Sequence, residues 1–253
     1  MTSPSAQTHL AIVTGVTSGI GLAMAKHLHQ AGFSIYGVAR NAQKLADCEV
    51  PLVGSQCCDL SELTALQACL RDLDLSTYQY AVLINNAGSL DPIGRFESVE
   101  PARVAQTMVL NGLAPLVVSG NFYRTLLATK GCVGRVVQLT SGAAHRPIAG
   151  WMSYCASKAA MWRGTEVIAS EMDASRCQIM ALSPGVVATA MQAQIRAQSH
   201  EAMPDVDWFR ELAAQDKLAS PDKPARYLVE MLLADLDGTR QFPHGESIDL
   251  FDA

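Results

Sequence analysis

Short apolar runs alternate along the chain with segments in which apolar residues recur every three or four positions. The run 10–14 is almost wholly apolar and ends at Gly15, whereas 20–31 gathers its apolar residues on one helical face and stops at Gly32. Because the apolar runs do not alternate with polar residues, they are typical of strands buried on both faces of a sheet. The predicted strands are 10–14, 34–39, 54–58, 80–84, 135–139, 177–182 and 246–250. The predicted helices are 20–31, 41–48 capped by Asn41, 61–72, 101–129 with an irregularity at Pro115, 154–172, 202–214 and 221–233.

This alternation of strand and helix predicts an α/β protein. We expect one doubly wound parallel sheet of the Rossmann type, with helices on both faces. The 253 residues contain no linker, repeat or low-complexity tract, so residues 1–253 are expected to form a single domain.

The charge balance narrows the classes of partner. The chain has 19 Lys and Arg against 24 Asp and Glu, a formal net charge of −5, and no block of basic residues, so we expect no nucleic-acid binding. No segment approaches the roughly 18 uninterrupted apolar residues of a membrane span. Residues 1–9 are polar and lack a signal-peptide core, which favours a cytoplasmic location.

The cysteines and histidines show no metal-site pattern. The seven cysteines include no Cys-x-x-Cys pair, and neither they nor the six histidines have zinc-site spacing. We therefore expect reduced, mostly buried thiols and no metal.

A glycine-rich turn joins the first strand to the first helix, with the sequence Thr14-Gly15-Val16-Thr17-Ser18-Gly19-Ile20-Gly21. Glycines allow a tight turn and a close backbone approach to a pyrophosphate, and a helix N-terminus supplies free N–H groups. An ordinary strand–helix turn is the competing interpretation. The context predicts a dinucleotide-binding turn formed by Gly15, Thr17, Ser18, Gly19, Ile20 and Gly21.

Further motifs follow along the chain in a fixed order. They are Asn85-Asn86-Ala87-Gly88, Asn111, Ser141, Tyr154-Cys155-Ala156-Ser157-Lys158, and Ser183-Pro184-Gly185 followed by Thr189. With the glycine-rich turn, they resemble the short-chain dehydrogenase/reductase family over nearly the whole chain. The resemblance implies a nicotinamide cofactor, a small-molecule carbonyl substrate and a homodimer or homotetramer. The cofactor contacts it implies are Asn86, Ala87, Gly88, Tyr154, Lys158, Pro184, Gly185, Val187 and Thr189.

The same resemblance implies a catalytic set of Ser141, Tyr154, Lys158 and Asn111. Tyr154 and Lys158 are four positions apart on one helical face. A neighbouring ammonium and an oxidised nicotinamide are both expected to lower the pKa of Tyr154 from about 10, so that it can donate a proton to a carbonyl oxygen or accept one in the reverse reaction. Ser141 would donate a hydrogen bond to that oxygen, Lys158 would hold the nicotinamide ribose, and Asn111 would disturb its helix and hold a water. The competing interpretation of an isolated Tyr-x-x-x-Lys is a surface pair.

The end of the second strand bears on the choice between NAD and NADP. No carboxylate stands there: Ala39 occupies the place of an acid, and Arg40 follows. A guanidinium can pair with a 2′-phosphate, so we expect NADP(H). Alternatively, Arg40 is a solvated surface residue or stacks on adenine. Asp59 and Leu60 resemble the family's adenine-contacting pair, with a cap-like structural role as the alternative for Asp59.

Within the family, several stretches resemble the branch of sepiapterin and benzil reductases. They are NNAGSL at 85–90, GWMSYCASKAA at 150–160, SPGVVATAMQAQIR at 183–196, and the C-terminal 248–252. This resemblance implies NADPH-dependent reduction of ketones, above all vicinal dicarbonyls. In sepiapterin reductases an aspartate anchors the pterin, and Asp249 has the matching position; a structural role is the alternative. Trp151, Met191, Trp208 and Phe209 are candidates for an apolar mouth, or else pack the helix 202–214.

Two other functions remain open. One is an NAD-dependent alcohol dehydrogenase, and the other is a dinucleotide-binding regulator without turnover, although no member of the catalytic set is missing. The stretch from 188 to about 217 has few strong core residues, and we expect it to close over the substrate.

Overall fold

The strands form one parallel sheet, in the order β3-β2-β1-β4-β5-β6-β7. The computed structural model of the protein describes residues 8–251; the polar segment 1–7 and Asp252 lie outside them. The strands are β1 (His9–Thr14), β2 (Ser34–Ala39), β3 (Gly54–Cys57), β4 (Tyr80–Asn85), β5 (Val133–Leu139), β6 (Cys177–Ser183) and β7 (Ser247–Asp249). The α-helices are α1 (Gly19–Gln30), α2 (Ala42–Ala46), α3 (Leu63–Ala68), α4 (Pro101–Thr107), α5 (Ala114–Ala128), α6 (Met152–Glu171), α7 (Ala190–Arg196), α8 (Val206–Ala214) and α9 (Asp222–Leu236).

Both faces of the sheet are covered, which explains the apolar runs. Successive side chains of β1 point to opposite faces: Val13 belongs to one buried cluster with residues of α1 and α9, and Ile12 to another with residues of α5. The predicted α/β fold with helices on both faces is confirmed.

The strand order reverses its direction between β1 and β4. The chain passes from β1 outward to β2 and β3, then returns to β4 on the other side of β1. In such sheets the crevice that binds ligands opens at the carboxyl ends of the strands, at this switch point.

The helix predicted over 61–72 is wrong for half of its length, because α3 spans only Leu63–Ala68. Leu63 is exposed, and Leu70 has a left-handed φ of 61°. The Leu70 N–H donates to the side chain of Gln56, and the Asn121 amide donates to the carbonyls of Leu66 and Cys69. These tertiary contacts occupy backbone groups that a longer helix would pair internally.

The long helix after Pro101 is interrupted before Pro115 rather than at it. A π-helical segment, Met108–Leu113, separates α4 from α5, and the Ala114 N–H donates to the Val109 carbonyl five residues back. Pro115 lies in the first turn of α5, where a missing N–H costs little.

The segment after β6 contains a helix that the sequence pattern missed. α7 spans Ala190–Arg196, and the helix predicted over 202–214 begins only at Val206. Among residues 8–251, no helix has the length and apolarity that crossing a membrane requires.

Candidate active site

An open cleft of about 690 Å³ lies at the carboxyl ends of β1, β4, β5 and β6. It brings together predicted residues from distant parts of the chain, because parallel strands all end at the same edge of the sheet. The predicted residues that line it are Gly15, Ser18, Gly19, Ile20, Asn86, Ala87, Gly88, Ser141, Trp151, Tyr154, Lys158, Pro184, Gly185, Val187, Thr189, Met191 and Asp249. Six predicted residues do not line it: Thr17, Gly21, Arg40, Asp59, Leu60 and Asn111.

The glycine-rich turn is packed tightly against the loop after β4. The Thr14 hydroxyl accepts hydrogen bonds from the N–H groups of Asn86 and Ala87, both at 3.0 Å, and the Asn86 amide donates to the Thr14 carbonyl at 2.9 Å. A Cβ at Gly21 would lie 2.4 Å from the Asn86 amide nitrogen. Gly15 has a φ of +70°, which favours glycine. Gly21 therefore supports the turn from inside α1 rather than touching a ligand.

The start of α1 has the features of a phosphate site. Ser18 precedes it in extended conformation and makes no side-chain capping bond, and the first turn contains no acidic residue. Ser18, Gly19 and Ile20 line the cleft. The N–H groups and the positive end of the helix dipole therefore remain available to a phosphate at this place, so the residues present fit a dinucleotide.

Three side chains of the predicted catalytic set meet in the cleft. Tyr154 and Lys158 are buried on α6, and Ser141 follows β5. The Lys158 Nζ donates to the Leu139 carbonyl oxygen at 2.6 Å and lies 5.8 Å from the centroid of the Tyr154 ring. The Ser141 hydroxyl accepts from the Ala143 N–H at 3.2 Å and also interacts with the Tyr154 hydroxyl.

Burial moves the pKa values of both titratable members of this set. Desolvation raises the pKa of Tyr154 to about 12, although the hydrogen bond with Ser141 opposes the shift. Desolvation lowers the pKa of Lys158 to about 8. The lowered pKa expected for Tyr154 is therefore wrong for the protein chain by itself, because burial dominates; the effect of an oxidised nicotinamide stays a prediction. Tyr154 is a protonated hydroxyl at neutral pH, which suits a proton donor.

Asn111 is buried in the π-helical segment, as its predicted disturbance of the helix requires. Its Oδ1 accepts from the Ser89 N–H at 2.9 Å, and its Nδ2 donates to the Ser89 carbonyl at 2.7 Å. The side chain thus ties the segment to the loop after β4 and does not reach the cleft. Its role in holding a water stays a prediction.

The residues predicted to contact the adenosine end lie apart from this cleft. Arg40 is exposed directly after β2, and Leu60 is buried in the core. Asp59 accepts hydrogen bonds from the Ser61 N–H at 3.0 Å and the Ser61 hydroxyl at 2.7 Å. These bonds lower the pKa of Asp59, and the charge of Arg40 lowers it further to a smaller extent. Asp59 therefore closes a local turn with Ser61, while Glu62 is the N-cap of α3, and the Asp59 carboxylate lies within electrostatic reach of Arg40.

A row of aromatic rings extends from Tyr154. The Trp151 ring lies 5.5 Å from that of Tyr154 and 5.3 Å from that of Phe209, and the Trp208 ring lies 4.7 Å from that of Phe209. All four rings line the cleft, and so does Met191. Lining an apolar mouth and packing the helix were given as alternatives, and both are seen. The residues line the cleft, and Trp151 also packs on Phe209 of α8. The Trp151 Nε1 is buried without a hydrogen-bond partner.

The segment after β6 has its own small core. Ile195, Met203, Val206 and Phe209 are buried in one cluster with Trp151 and Tyr154. The expectation of few core residues there is wrong, because apolar residues scattered along the segment are brought together by α7 and α8.

Asp249 lies at the rim of the cleft and is exposed. Its Oδ1 accepts from the Ser183 hydroxyl at 3.0 Å and from the Phe251 N–H at 2.9 Å. The structural role that was its alternative is thus present, and pterin anchoring stays a prediction.

Several lining residues were not singled out from the sequence. His145 and Arg146 lie between Ser141 and Tyr154, while Gln192 and Gln194 lie on α7 and Phe251 follows β7. The position of His145 and Arg146 between two predicted catalytic residues was a signal that could have identified them. No group of three or more His, Cys, Asp or Glu side chains within residues 8–251 could hold a metal ion.

Comparison with known proteins agrees with this geometry. Residues 9–200 match the family model described as short chain dehydrogenase. A benzil reductase ((S)-benzoin forming) from Bacillus cereus is 31% identical over 247 residues, which cover 94% of this chain and 97% of that protein.

Solved structures share the fold. A protein from Beutenbergia cavernae with bound NADP aligns at a TM-score of 0.77 and 27% identity, covering 97% of this chain and 96% of that chain. A 4-hydroxyisoleucine dehydrogenase complexed with NADH aligns at a TM-score of 0.77 and 20% identity, covering 95% of this chain and 96% of that chain, which shows the fold alone. The two proteins hold different nicotinamide dinucleotides.

Proposed function

The chain belongs to the short chain dehydrogenase family, whose members are oxidoreductases that bind a nicotinamide dinucleotide, and we propose that it is an NADPH-dependent carbonyl reductase with vicinal dicarbonyls as substrates. The observation that carries this proposal is the place of the Tyr154 hydroxyl, which lies in the cleft beside Ser141 and at the end of a row of aromatic rings. A reductase needs such a proton donor, and the rings suit a ketone with aromatic or planar substituents.

The residues of the cleft divide the work of reduction. The bound dinucleotide supplies the hydride. The hydroxyls of Ser141 and Tyr154 hold the carbonyl oxygen of the substrate, and Tyr154 transfers its proton to that oxygen as negative charge develops there. Lys158 is wholly enclosed and fixed to the Leu139 carbonyl, so its ammonium can stabilise the tyrosinate that remains.

Two observations support the proposed substrate class: the aromatic side chains that line the cleft, and the likeness to a benzil reductase. Trp151 and Phe209 provide flat apolar surfaces next to the proton donor. Aromatic pairs of this kind contribute about 0.5–1.5 kcal/mol beyond area burial. A diketone with aryl groups, or a pterin with a diketo side chain, fits such surfaces.

A panel of substrates tests the proposal directly. Consumption of NADPH and NADH would be measured side by side with benzil, sepiapterin and simple monoketones. We expect turnover with NADPH and a diketone, and much slower turnover with NADH. Binding of either dinucleotide without consumption of any carbonyl substrate would favour a regulator, and faster oxidation of alcohols with NAD would favour a dehydrogenase.

A further inference from the structure

Arg146 places a cation at the wall of the cleft. The residue lies between Ser141 and Tyr154 in sequence, is exposed and lines the cleft. A Cβ at Gly142 would lie 3.6 Å from both Nε and Nη2 of Arg146 and 3.8 Å from its Cζ. The guanidinium therefore lies over Gly142, the residue that follows Ser141.

Other charged groups of the cleft already have partners. The Lys158 ammonium donates to the Leu139 carbonyl, and the Asp249 carboxylate accepts from Ser183 and from the Phe251 backbone. Arg146 makes no hydrogen bond or ion pair with any residue in the part of the chain that the structure describes. Its five N–H donors are therefore available to an acceptor in the cleft.

We propose that Arg146 determines specificity by donating a hydrogen bond to the second carbonyl oxygen of a vicinal dicarbonyl. This inference rests on the proposed function. Ser141 and Tyr154 together hold the oxygen of the reacting carbonyl. The second oxygen is on the adjacent carbon. The guanidinium of Arg146 lies against Gly142, the residue that follows Ser141 in the sequence. A substrate with only one carbonyl has nothing to offer this donor.

The chemistry of the donor fits the purpose. A charged donor forms stronger hydrogen bonds than a neutral one. Because the second carbonyl does not react, its hydrogen bond to Arg146 is equally strong in the ground state and in the transition state. The interaction therefore serves selection and orientation of the diketone, while Tyr154 remains the proton donor. Trp151 and Phe209 provide the flat surfaces against which the flanking rings lie.

Benzil and deoxybenzoin form a matched pair for the test, because they share the same carbon skeleton and differ by one carbonyl oxygen. Loss of a hydrogen bond to a charged group should lower kcat/KM by about 10- to 100-fold. We expect Arg146→Ala to show this loss with benzil and to leave kcat/KM for deoxybenzoin unchanged. Arg146→Lys should retain part of the preference, since lysine is also a charged donor. Arg163→Ala, which removes an exposed arginine that pairs with Glu166 on α6, is the control.

The proposed function and the proposed role of Arg146 can be overturned separately. Wild-type turnover of benzil with NADPH tests the proposed function. Absence of turnover would contradict both that function and the role of Arg146. If the wild type reduces benzil but Arg146→Ala lowers kcat/KM for the two ketones equally, or lowers neither, the role of Arg146 is overturned and the reductase remains. Unchanged NADPH affinity and an unchanged melting temperature in Arg146→Ala would show that a selective loss arises at the substrate.

Discussion

The backbones of Val187 and Ala219 form an isolated parallel bridge that closes the base of the segment 188–218. The Ala188 N–H donates to the Ala219 carbonyl at 2.8 Å, and the Ala219 N–H donates to the Val186 carbonyl at 2.9 Å. The segment leaves the body of the protein and returns to it at one place, and between these ends it supplies α7 and α8 to the wall of the cleft. Because the segment is held at its base and its buried residues pack on Trp151 and Tyr154, a movement of α7 and α8 would change the wall of the cleft beside Tyr154.

We expect hydrogen exchange of the amides in α7 and α8 to slow when NADPH and a substrate are bound. Closure over the ligands would lengthen the lifetime of the hydrogen bonds in these two helices. The matched control is β4, whose amides are buried in the centre of the sheet and should exchange slowly in both states. Equal exchange of α7 and α8 with and without ligands would contradict closure.

The second prediction concerns proton transfer. Tyr154→Phe removes the hydroxyl and keeps the ring that packs against Trp151. We expect kcat to fall by orders of magnitude while NADPH affinity stays close to that of the wild type, because only the proton donor is lost. Steady-state kinetics and fluorescence titration with NADPH measure the two effects. Turnover near the wild-type rate would rule out Tyr154 as the donor.

The burial of Lys158 predicts a dependence of stability on pH. Its pKa is lowered from 10.5 to about 8 on folding. Between these values the unfolded chain binds a proton that the folded chain does not, so stability rises with pH in this window. We expect the free energy of unfolding to rise, through this residue, by about 2 kcal/mol from about pH 8 to about pH 10.

Lys158→Met is the control for this effect, since it retains the length of the side chain without its charge. Denaturant unfolding of both proteins, without added cofactor, would be compared at the two pH values. The stability of the wild type relative to the variant should increase with pH. A difference that is independent of pH would mean that the ammonium keeps an ordinary pKa in the folded protein.

The parts of the fold that were predictable depend on local patterns. Apolar runs and glycines predict the first strand and the turn up to Gly19. Capping preferences predict the short helix α2, and the Asn41 side chain at its N-cap accepts from the Lys44 N–H. The limits of α3 did not follow, because Gln56 and Asn121 reach its backbone from distant segments.

The candidate site also combines features that local patterns predict with features that depend on distant parts of the chain. The order of motifs identified Ser141, Tyr154 and Lys158, but not the pKa values of the last two, which depend on how completely α6 and β5 exclude water. The position of Arg146 between Ser141 and Tyr154 in the sequence marks it as a candidate but does not show where its side chain lies. Only the fold shows that it lies beside Gly142 in the cleft.

The choice of cofactor rests on the charges at the end of β2. Ala39 leaves the place of an acid without a carboxylate, and Arg40 follows as an exposed cation. The structure adds Asp59, whose carboxylate interacts weakly with Arg40 and is itself held by Ser61. Within residues 8–251 the Arg40 guanidinium makes no hydrogen bond or short ion pair, so its N–H donors are available to a 2′-phosphate.

We therefore expect Arg40→Ala to weaken NADPH binding by about 10- to 100-fold, the loss that a charge-assisted hydrogen bond of about 1.5–3 kcal/mol implies. NADH has no 2′-phosphate, so its affinity should change far less. Ala39→Asp should shift the preference toward NADH, because it places an anion beside the phosphate and an acceptor beside the ribose hydroxyls. Dissociation constants of both cofactors would be measured for both variants, with Lys130→Ala as a control that removes one exposed positive charge beyond the end of α5. Equal weakening of the two cofactors by Arg40→Ala would mean that Arg40 stacks on adenine, and the assignment of NADPH would lose its main support.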